Sequence, residues 1–398
     1  MAITSGTDTR PDQKPDQDCR DCFGRDVFHG EEPDAPHAPA DLQAPSERSF
    51  RDFVGAHKRI FLALLGVVAI TVFIAAVLPQ IAGFGDTLKR IEKGDKSWLL
   101  LGVFFEALSI GSYIAVFRAT FSCEGVQIDW RESYQITMAG LVATKLFAAA
   151  GAGGVALTAW ALRAAGLRGR TVARRLATFE ILLYSVYMGC LAVFGLGLAT
   201  GAFPGKAPTG ITVIPAAFGA GVIVLALLFR FIPDDMIHLL SRLSGGSRRR
   251  RKLLEGISTI PSTIHDGVVG ALEMVRRPRL GHLGAVGYWA FDIACLWAAF
   301  RAYGSAPPIA VVVMAYFVGT LANIIPIPGG IGGVEGGMIG SFIAFGVDGS
   351  VAVLAVLSYR ALSFWLPTIP GALAYFQLRK TVGEWRATEP EPAPTPAT

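Results

Sequence analysis

Long blocks of apolar residues, broken by short polar segments, dominate this chain. Six blocks approach the roughly 20 residues that an α-helix needs to cross a hydrocarbon layer about 30 Å thick. They are Ile60–Leu78, Trp98–Phe121, Leu176–Thr200, Ile211–Phe229, Leu283–Ala302 and Val351–Leu378. The first and fourth carry no charge. The others hold Glu106 and Arg118, Glu180, Asp292, and Arg360, and the last also contains Pro367 and Pro370. The pattern predicts an all-α polytopic membrane bundle with six full spans.

Two further apolar regions, at about 131–166 and 308–346, are each interrupted near the middle. The first break is Gly151-Ala152-Gly153-Gly154 and the second is Pro326-Ile327-Pro328-Gly329-Gly330-Ile331-Gly332-Gly333. Proline removes a backbone donor, and glycine costs a helix about 1 kcal/mol per site. Each region therefore reads as two short helices around a break, either a pair of thin spans or a re-entrant hairpin. Gly153-Gly154-Val155 repeats as Gly332-Gly333-Val334, at an offset of nearly half the chain. By topology the first break is entered from the side opposite to the second, the pattern of an inverted repeat with a site near the midplane. Glycine-rich segments also serve close helix packing, and that reading stays open.

Composition agrees with a membrane protein. Only 17% of residues are charged, against roughly 25% in an average soluble domain, and the mean hydropathy is +0.47. The net charge of +5 conceals a division. Residues 1–47 hold 11 acidic and 4 basic residues, a net of −7 that leaves +12 on the rest. With six prolines and few large apolar side chains, this segment is expected to be a disordered cytoplasmic tail. The 381–398 segment, with Glu389-Pro390-Glu391-Pro392-Ala393-Pro394, is read the same way, leaving 48–380 as the membrane domain. No cleavable signal peptide is read, because the first apolar run begins at Ile60. Cys19 and Cys22 have the spacing of half a zinc site, but the Pro/Asp-rich surroundings favour a solvated tail. The five cysteines imply no disulfide framework.

Arginine and lysine placement orients the spans. With the amino terminus inside, the cytoplasmic segments collect Arg163, Arg168, Arg170, Arg174 and Arg175, a basic 231–280 loop, and Arg379, Lys380 and Arg386. The outer segments at 303–307 and 346–350 have none; 79–97, with four basic and three acidic residues, is the exception. Both termini are thus expected in the cytoplasm. Arg248, Arg249, Arg250, Arg251 and Lys252 in the loop suit anionic lipid headgroups, or a simple topology anchor. The cluster lacks interleaved aromatics, which argues against nucleic acid.

The run Asn323-Ile324-Ile325-Pro326-Ile327-Pro328-Gly329-Gly330-Ile331-Gly332-Gly333-Val334-Glu335, followed by Gly346-Val347 and Tyr359-Arg360, resembles the signature of the lysylphosphatidylglycerol synthase transmembrane-region family. The resemblance runs from about residue 55 to 380. The first repeat departs from it, with Ala149-Ala150-Gly151-Ala152 where relatives often have a proline before the glycine pair. The resemblance implies a flippase-like protein that moves a phospholipid, aminoacylated or not, or a lipid-linked precursor between leaflets of the cytoplasmic membrane. Bifunctional relatives carry an aminoacyl-transferase domain after the membrane part. Only a short Pro/Glu-rich segment follows the last apolar block, so neither that domain nor an enzymatic activity is expected.

Candidate site residues follow from two physical demands. A helix that begins inside the membrane presents free N–H groups and a positive dipole end, which can receive a phosphate. Gly153 and Gly154 in the first break, and Asn323, Pro328, Gly329, Gly330, Gly332 and Gly333 in the second, are the candidates on this ground. An intramembrane charge costs about 2.5–3.5 kcal/mol at a helix centre and needs a partner or a wet cavity. Glu335, Arg360, Glu180, Asp292 and Lys145 are the candidates here. Glu335 is expected to pair with Arg360, or the two divide a cationic headgroup and a phosphate between them. Glu180 holds in the first repeat roughly the place that Arg360 holds in the second, which suits a bridge across the repeats. No nucleotide loop, nucleophile–base arrangement or complete metal-ligand cluster is visible, so no cofactor is expected. Besides lipids, a second copy of the chain or a partner synthase is a further candidate associate. The alternatives are a proton-coupled transporter of a small amphipathic solute, working through Glu335 or Glu180, and a scaffold for a lipid- or wall-modifying enzyme.

Overall fold

The computed structural model describes residues 94–121, 128–146, 152–229, 263–277, 279–324, 330 and 332–388. The described residues form helices and their connections. They are α1 (Lys96–Phe121), α2 (Trp130–Leu146), α3 (Ala152–Ala164), α4 (Gly169–Ala199), α5 (Thr209–Phe229), α6 (263–276), α7 (Gly284–Ala302) and α8 (Ile309–Thr320). A short 3-10 turn (Leu321–Ile324), α9 (Gly333–Ala344) and α10 (Gly349–Arg360) follow. A π turn (Ala361–Trp365) then joins α10 to α11 (Leu366–Thr388). The expected span Ile60–Leu78, the 1–47 tail with Cys19 and Cys22, and Arg248 to Lys252 lie outside the described residues.

Among the described residues, four helices are long and apolar enough to cross a membrane: α1, α4, α5, and the continuous rod from Gly349 to Trp385. α7 has 19 residues and carries Asp292 and Arg301. Two expected boundaries change. α4 begins at Gly169 rather than Leu176, because Val172 and Arg175 are buried and Arg175 donates to the Thr120 carbonyl. The last helix continues to Thr388, past the expected start of a tail at 381, since Val382 is buried and Trp385 packs on the adjoining core. The 231–280 segment, read as a loop, contains α6, which lies against α4 through Gly267 on Ala177, Gly270 on Thr178, and an Arg174–Asp266 pair at 3.0 Å. Pro367 lies inside the final rod just after the π turn. The widened turn accommodates a residue that cannot donate its backbone N–H.

Two helical hairpins, α2–α3 and α8–α9, occupy the regions with glycine breaks. At 1.5 Å per residue, α3 with 13 residues and α9 with 12 reach about 20 and 18 Å, short of the hydrocarbon thickness. Their crossings correspond. In the first hairpin Gly140 meets Thr158 and Gly154; in the second Gly319 meets Gly337 and Met338. Gly140 and Gly319, like Thr158 and Gly337, are separated by the same offset as the two Gly-Gly-Val triplets. The order of helix, hairpin and long rod also recurs, with α4 starting at Gly169 and α10 at Gly349, almost the same offset again. Contacts follow the same exchange: α4 packs on α8, while α11 packs on α2.

α1 and α7 form a closely packed antiparallel pair. Gly102 faces Cys295, Gly284 faces Ser112 and Val116, and the Asp95 amide donates to the Ala302 carbonyl at 2.9 Å. The first helix of one half and its counterpart in the other thus run in opposite directions. One end of the bundle is basic. Thr381 meets Gln135 there, and Arg131, Arg163, Arg168, Arg170, Arg276, Arg379 and Lys380 are exposed on the helix ends and connections of that side. At the other end Asp348 caps α10, accepting from the Ser350 hydroxyl and from the Ser350 and Val351 amides. These bonds hold its carboxyl below the ordinary carboxylate range. A depressed value stabilises the fold at neutral pH, and this contribution disappears as pH falls through it. Asp348→Asn is expected to flatten the acid side of a melting-temperature profile in detergent.

Candidate functional site

Between the two hairpins lies a cavity of about 470 Å³. Its wall draws on both halves: Leu141 and Thr144 from the first hairpin; Thr320, Asn323, Gly330 and Val334 from the second; and side chains of α1, α4, α5, α7, α10 and α11. Three local devices build it.

The first is the start of α9. A helix leaves its first four N–H groups without intrahelical partners. Gly332 turns the chain into α9 with φ +84°, and its N–H donates to Glu335 Oε2 at 2.7 Å, so Glu335 reaches back to cap its own helix. The other carboxylate oxygen accepts from Arg360 Nε at 2.6 Å. Both side chains of this pair are largely buried, and the Arg360 guanidinium also lies 4.6 Å from the Phe364 ring. Arg360 borders the cavity at the last residue of α10, and the π turn beyond it adds Ser363 and Phe364 to the wall. Such widened turns often occur at functional sites.

The second is Asp292, buried at mid-α7. Its carboxylate accepts from the Tyr316 hydroxyl of α8 and from the Tyr359 hydroxyl of α10, the latter at 3.0 and 3.1 Å to the two oxygens. Glu106 of α1 borders the same chamber and is also buried. The third is the end of α8, where Tyr187 of α4 donates to the Phe317 carbonyl at 2.7 Å and accepts from Thr320 at 3.1 Å. Trp289 Nε1 donates to the Leu183 carbonyl at 2.9 Å, tying α7 to α4.

Asn323, Gly330, Asp292 and Arg360 therefore border one chamber, with Gly332, Gly333 and Glu335 adjoining it. Other candidates sit elsewhere. Gly154 is occupied by helix crossing: a Cβ there would lie 2.5 Å from the Gly140 carbonyl oxygen and closer to Thr144. Gly153 is in the same first turn of α3, and neither borders the cavity. Glu180 does not reach Arg360, whose carboxylate partner is Glu335; it lies on α4 beside Tyr113 and Tyr184, so the expected bridge across the repeats is not formed. The Lys145 side chain, Pro328 and Gly329 lie outside the described residues. The reading of the sequence overlooked Tyr187, Tyr316 and Trp289, and valued Tyr359 only as part of a motif. A usable signal was present: Tyr184, Tyr187 and Met188 share one helical face, Tyr288, Trp289 and Asp292 another, and Tyr316 and Thr320 a third.

Gly330 shows how closely the site is built. It has φ +62°, and a Cβ would lie 2.7 Å from Val334 Cγ2 and closer still to Asn323 Oδ1. Gly330→Ala adds a left-handed penalty of about 1–2 kcal/mol to overpacking of about 1–3 kcal/mol. A lowered melting temperature of the detergent-solubilised protein is the expected result; an unchanged value would contradict this geometry.

The sequence pattern of the family described as lysylphosphatidylglycerol synthase TM region matches residues 62–371. The chain belongs to that family. It is similar to two UPF0104 membrane proteins of Methanothermobacter thermautotrophicus, at 24% identity over 82% of this chain and 96% of the relative, and at 23% over 80% and 96%. A UPF0104 membrane protein of Methanocaldococcus jannaschii is 33% identical over a shorter stretch, 23% of this chain and 28% of its own length. With its apolar helices, membership makes the chain a multi-pass membrane protein. The family match takes in both hairpins, the cavity and the Glu335–Arg360 pair.

Proposed function

We propose that this protein is a lipid translocase, which moves a phospholipid between the leaflets of the cytoplasmic membrane. In this reading the two hairpins are re-entrant and enter from opposite faces, the basic end lies in the cytoplasm with both termini, and the halves form an inverted repeat. Such an arrangement gives inward- and outward-open states of similar energy around a midplane site. Its main support is the cavity at the junction of the hairpins, where a guanidinium, two buried carboxylates and several tyrosines line the wall. A polar chamber at that depth offers a headgroup hydrogen bonds it would lose in hydrocarbon. Arg360 is the natural ligand for a lipid phosphate, and the Asp292–Tyr316–Tyr359 cluster receives the rest of the headgroup.

The test is a leaflet-distribution assay. Purified protein is reconstituted into liposomes containing a fluorescent phosphatidylglycerol, and the outer-leaflet label is destroyed by a membrane-impermeant reductant. Protein-dependent loss of the protected inner pool is expected. A rate equal to that of protein-free liposomes would overturn the reading.

A further inference from the structure

Three helices bring ionisable side chains into one column. The rings of Phe105 and Phe291, with centroids 6.4 Å apart, hold α1 and α7 in register, as does the Ser109 hydroxyl, which donates to the Tyr288 carbonyl at 2.8 Å. On this register Glu106 stands level with Asp292. Both carboxyls are 7% exposed, and both border the chamber. Toward the basic end the rings of Tyr113 and Tyr288 lie 5.1 Å apart. Tyr113 also meets Phe179 edge-on at 5.3 Å, which sets it against α4 where Glu180 follows. Glu180 acts electrostatically on Tyr113, while Asp292, Tyr113 and Glu106 all act on Tyr288. The column thus runs from Glu180 through Tyr113 and Tyr288 to Asp292 and Glu106.

Its chemistry suits the passage of a proton. Phenylalanine would fill the two tyrosine positions as well, and a hydroxyl in an apolar core costs free energy unless it has a partner. A phenol oxygen both donates and accepts, so it can hand on its own proton while receiving another. Carboxyl groups inside membrane helices are costly and mark proton relays. Tyr288, Asp292 and Glu106 border the chamber, whose volume of about 470 Å³ leaves room for bridging waters. Glu335 is differently placed, since the Gly332 N–H and Arg360 engage its two oxygens. The other titratable groups around the column are Tyr184 and Tyr187 on α4, Cys295 on α7, Tyr316 on α8, and Tyr359 and Arg360 on α10. Toward the basic end α6 brings Asp266, which pairs with Arg174, and α3 brings Arg163 beside Gly169. α5 holds no charged residue.

We propose that α1, α4 and α7 hold a proton route from Glu180 through the hydroxyls of Tyr113 and Tyr288 to Asp292 and Glu106, and that protons moving along it drive transfer. The second half of this proposal rests on the translocase reading; the route itself does not. Glu180 takes a proton from water on the basic side and gives it to the Tyr113 oxygen as that hydroxyl's own proton moves on to Tyr288. Tyr288 passes its proton in the same way, through a chamber water, to the Asp292 or Glu106 carboxylate. Only O–H bonds form and break, and one proton is carried per passage. Neutralising a carboxylate in the chamber wall changes the charge that bound cargo meets, which links proton arrival to cargo affinity.

The experiment measures proton flux. Purified protein is reconstituted into liposomes that contain phosphatidylglycerol and an entrapped pH-sensitive dye, and a potassium diffusion potential set with valinomycin pulls protons inward. Wild type should acidify the interior faster than protein-free liposomes do. Glu180→Gln should return the flux to the protein-free level, and Glu180→Asp should restore part of it. Tyr113→Phe and Tyr288→Phe should each lower the flux while melting close to wild type, because the rings and their packing remain. Tyr375→Phe removes a hydroxyl on α11, away from the column, and should keep the full flux. A wild-type flux at the protein-free level, or one that survives both Glu180→Gln and the paired Tyr113→Phe/Tyr288→Phe change, would overturn the route. Lipid transfer by wild type without proton flux removes the route and leaves the translocase reading standing. Flux that depends on Glu180 in a protein that transfers no lipid keeps the route and removes the translocase reading.

Discussion

Arg360→Ala should destabilise the protein by about 3–5 kcal/mol, the usual cost of removing one partner from a buried ion pair, and should stop lipid transfer. The Glu335 carboxylate would remain largely buried with its countercharge gone, still holding the Gly332 N–H that begins α9. Glu335→Gln should cost less, because a side-chain amide oxygen can still accept from Gly332. The double variant Arg360→Ala/Glu335→Gln is expected to be more stable than Arg360→Ala alone, since no unpaired charge remains. A thermodynamic cycle over the four proteins, from melting in detergent, should give a coupling within about 0.5–3 kcal/mol. Exchanging the charges, with arginine at 335 and glutamate at 360, should fail to restore transfer, because residue 335 must also accept from a backbone amide. Full stability and transfer in both single variants would remove this pair from the mechanism.

Asp292→Ala carries the second large effect. It takes the acceptor away from the hydroxyls of Tyr316 and Tyr359, both buried. An unsatisfied buried polar group costs about 1–3 kcal/mol, which puts the total at about 2–6 kcal/mol. The diagnostic comparison is Asp292→Ala with and without Tyr316→Phe and Tyr359→Phe. Deleting the stranded hydroxyls should restore part of the lost stability, because replacing both partners of a hydrogen bond by apolar groups is often nearly neutral. If the triple variant melts below Asp292→Ala, the cluster is held by something other than these bonds. Transfer should remain absent in the triple variant even where stability recovers, since the headgroup loses its acceptor.

Local physics in the sequence anticipated much of this architecture. The apolar blocks became α1, α4, α5, α7 and the final rod, and each glycine break runs into the start of its hairpin's second arm, α3 or α9. The pairing of Glu335 with Arg360 was also legible, because an intramembrane acid at a helix start and an intramembrane base in the following helix each need a countercharge. Glu180 shows where such reasoning stops. Its spacing from Arg360 suggested a bridge, but spacing along the chain does not say which way a helix is rotated, and Arg360 turns to Glu335 instead. Gly154 makes a related point. Its composition matched the second break, yet its missing side chain serves the close approach of α2 and α3 rather than the cavity.

The chain alone set the length of each apolar block, the positions where a helix must stop, and the charges that demand partners. These follow from backbone hydrogen bonding and desolvation, both local properties. Which side chains meet was settled by packing in three dimensions. Asp292 finds Tyr316 and Tyr359 across 24 and 67 residues of sequence, and Tyr187 finds Phe317 across 130. In a soluble helix the apolar stripe shows which face turns inward. In a membrane helix the lipid-facing and protein-facing sides are both apolar, so rotation about the helix axis is set by packing against neighbours. That rotation turns Asp292 into the chamber and Phe218 to its wall, and with them the site itself.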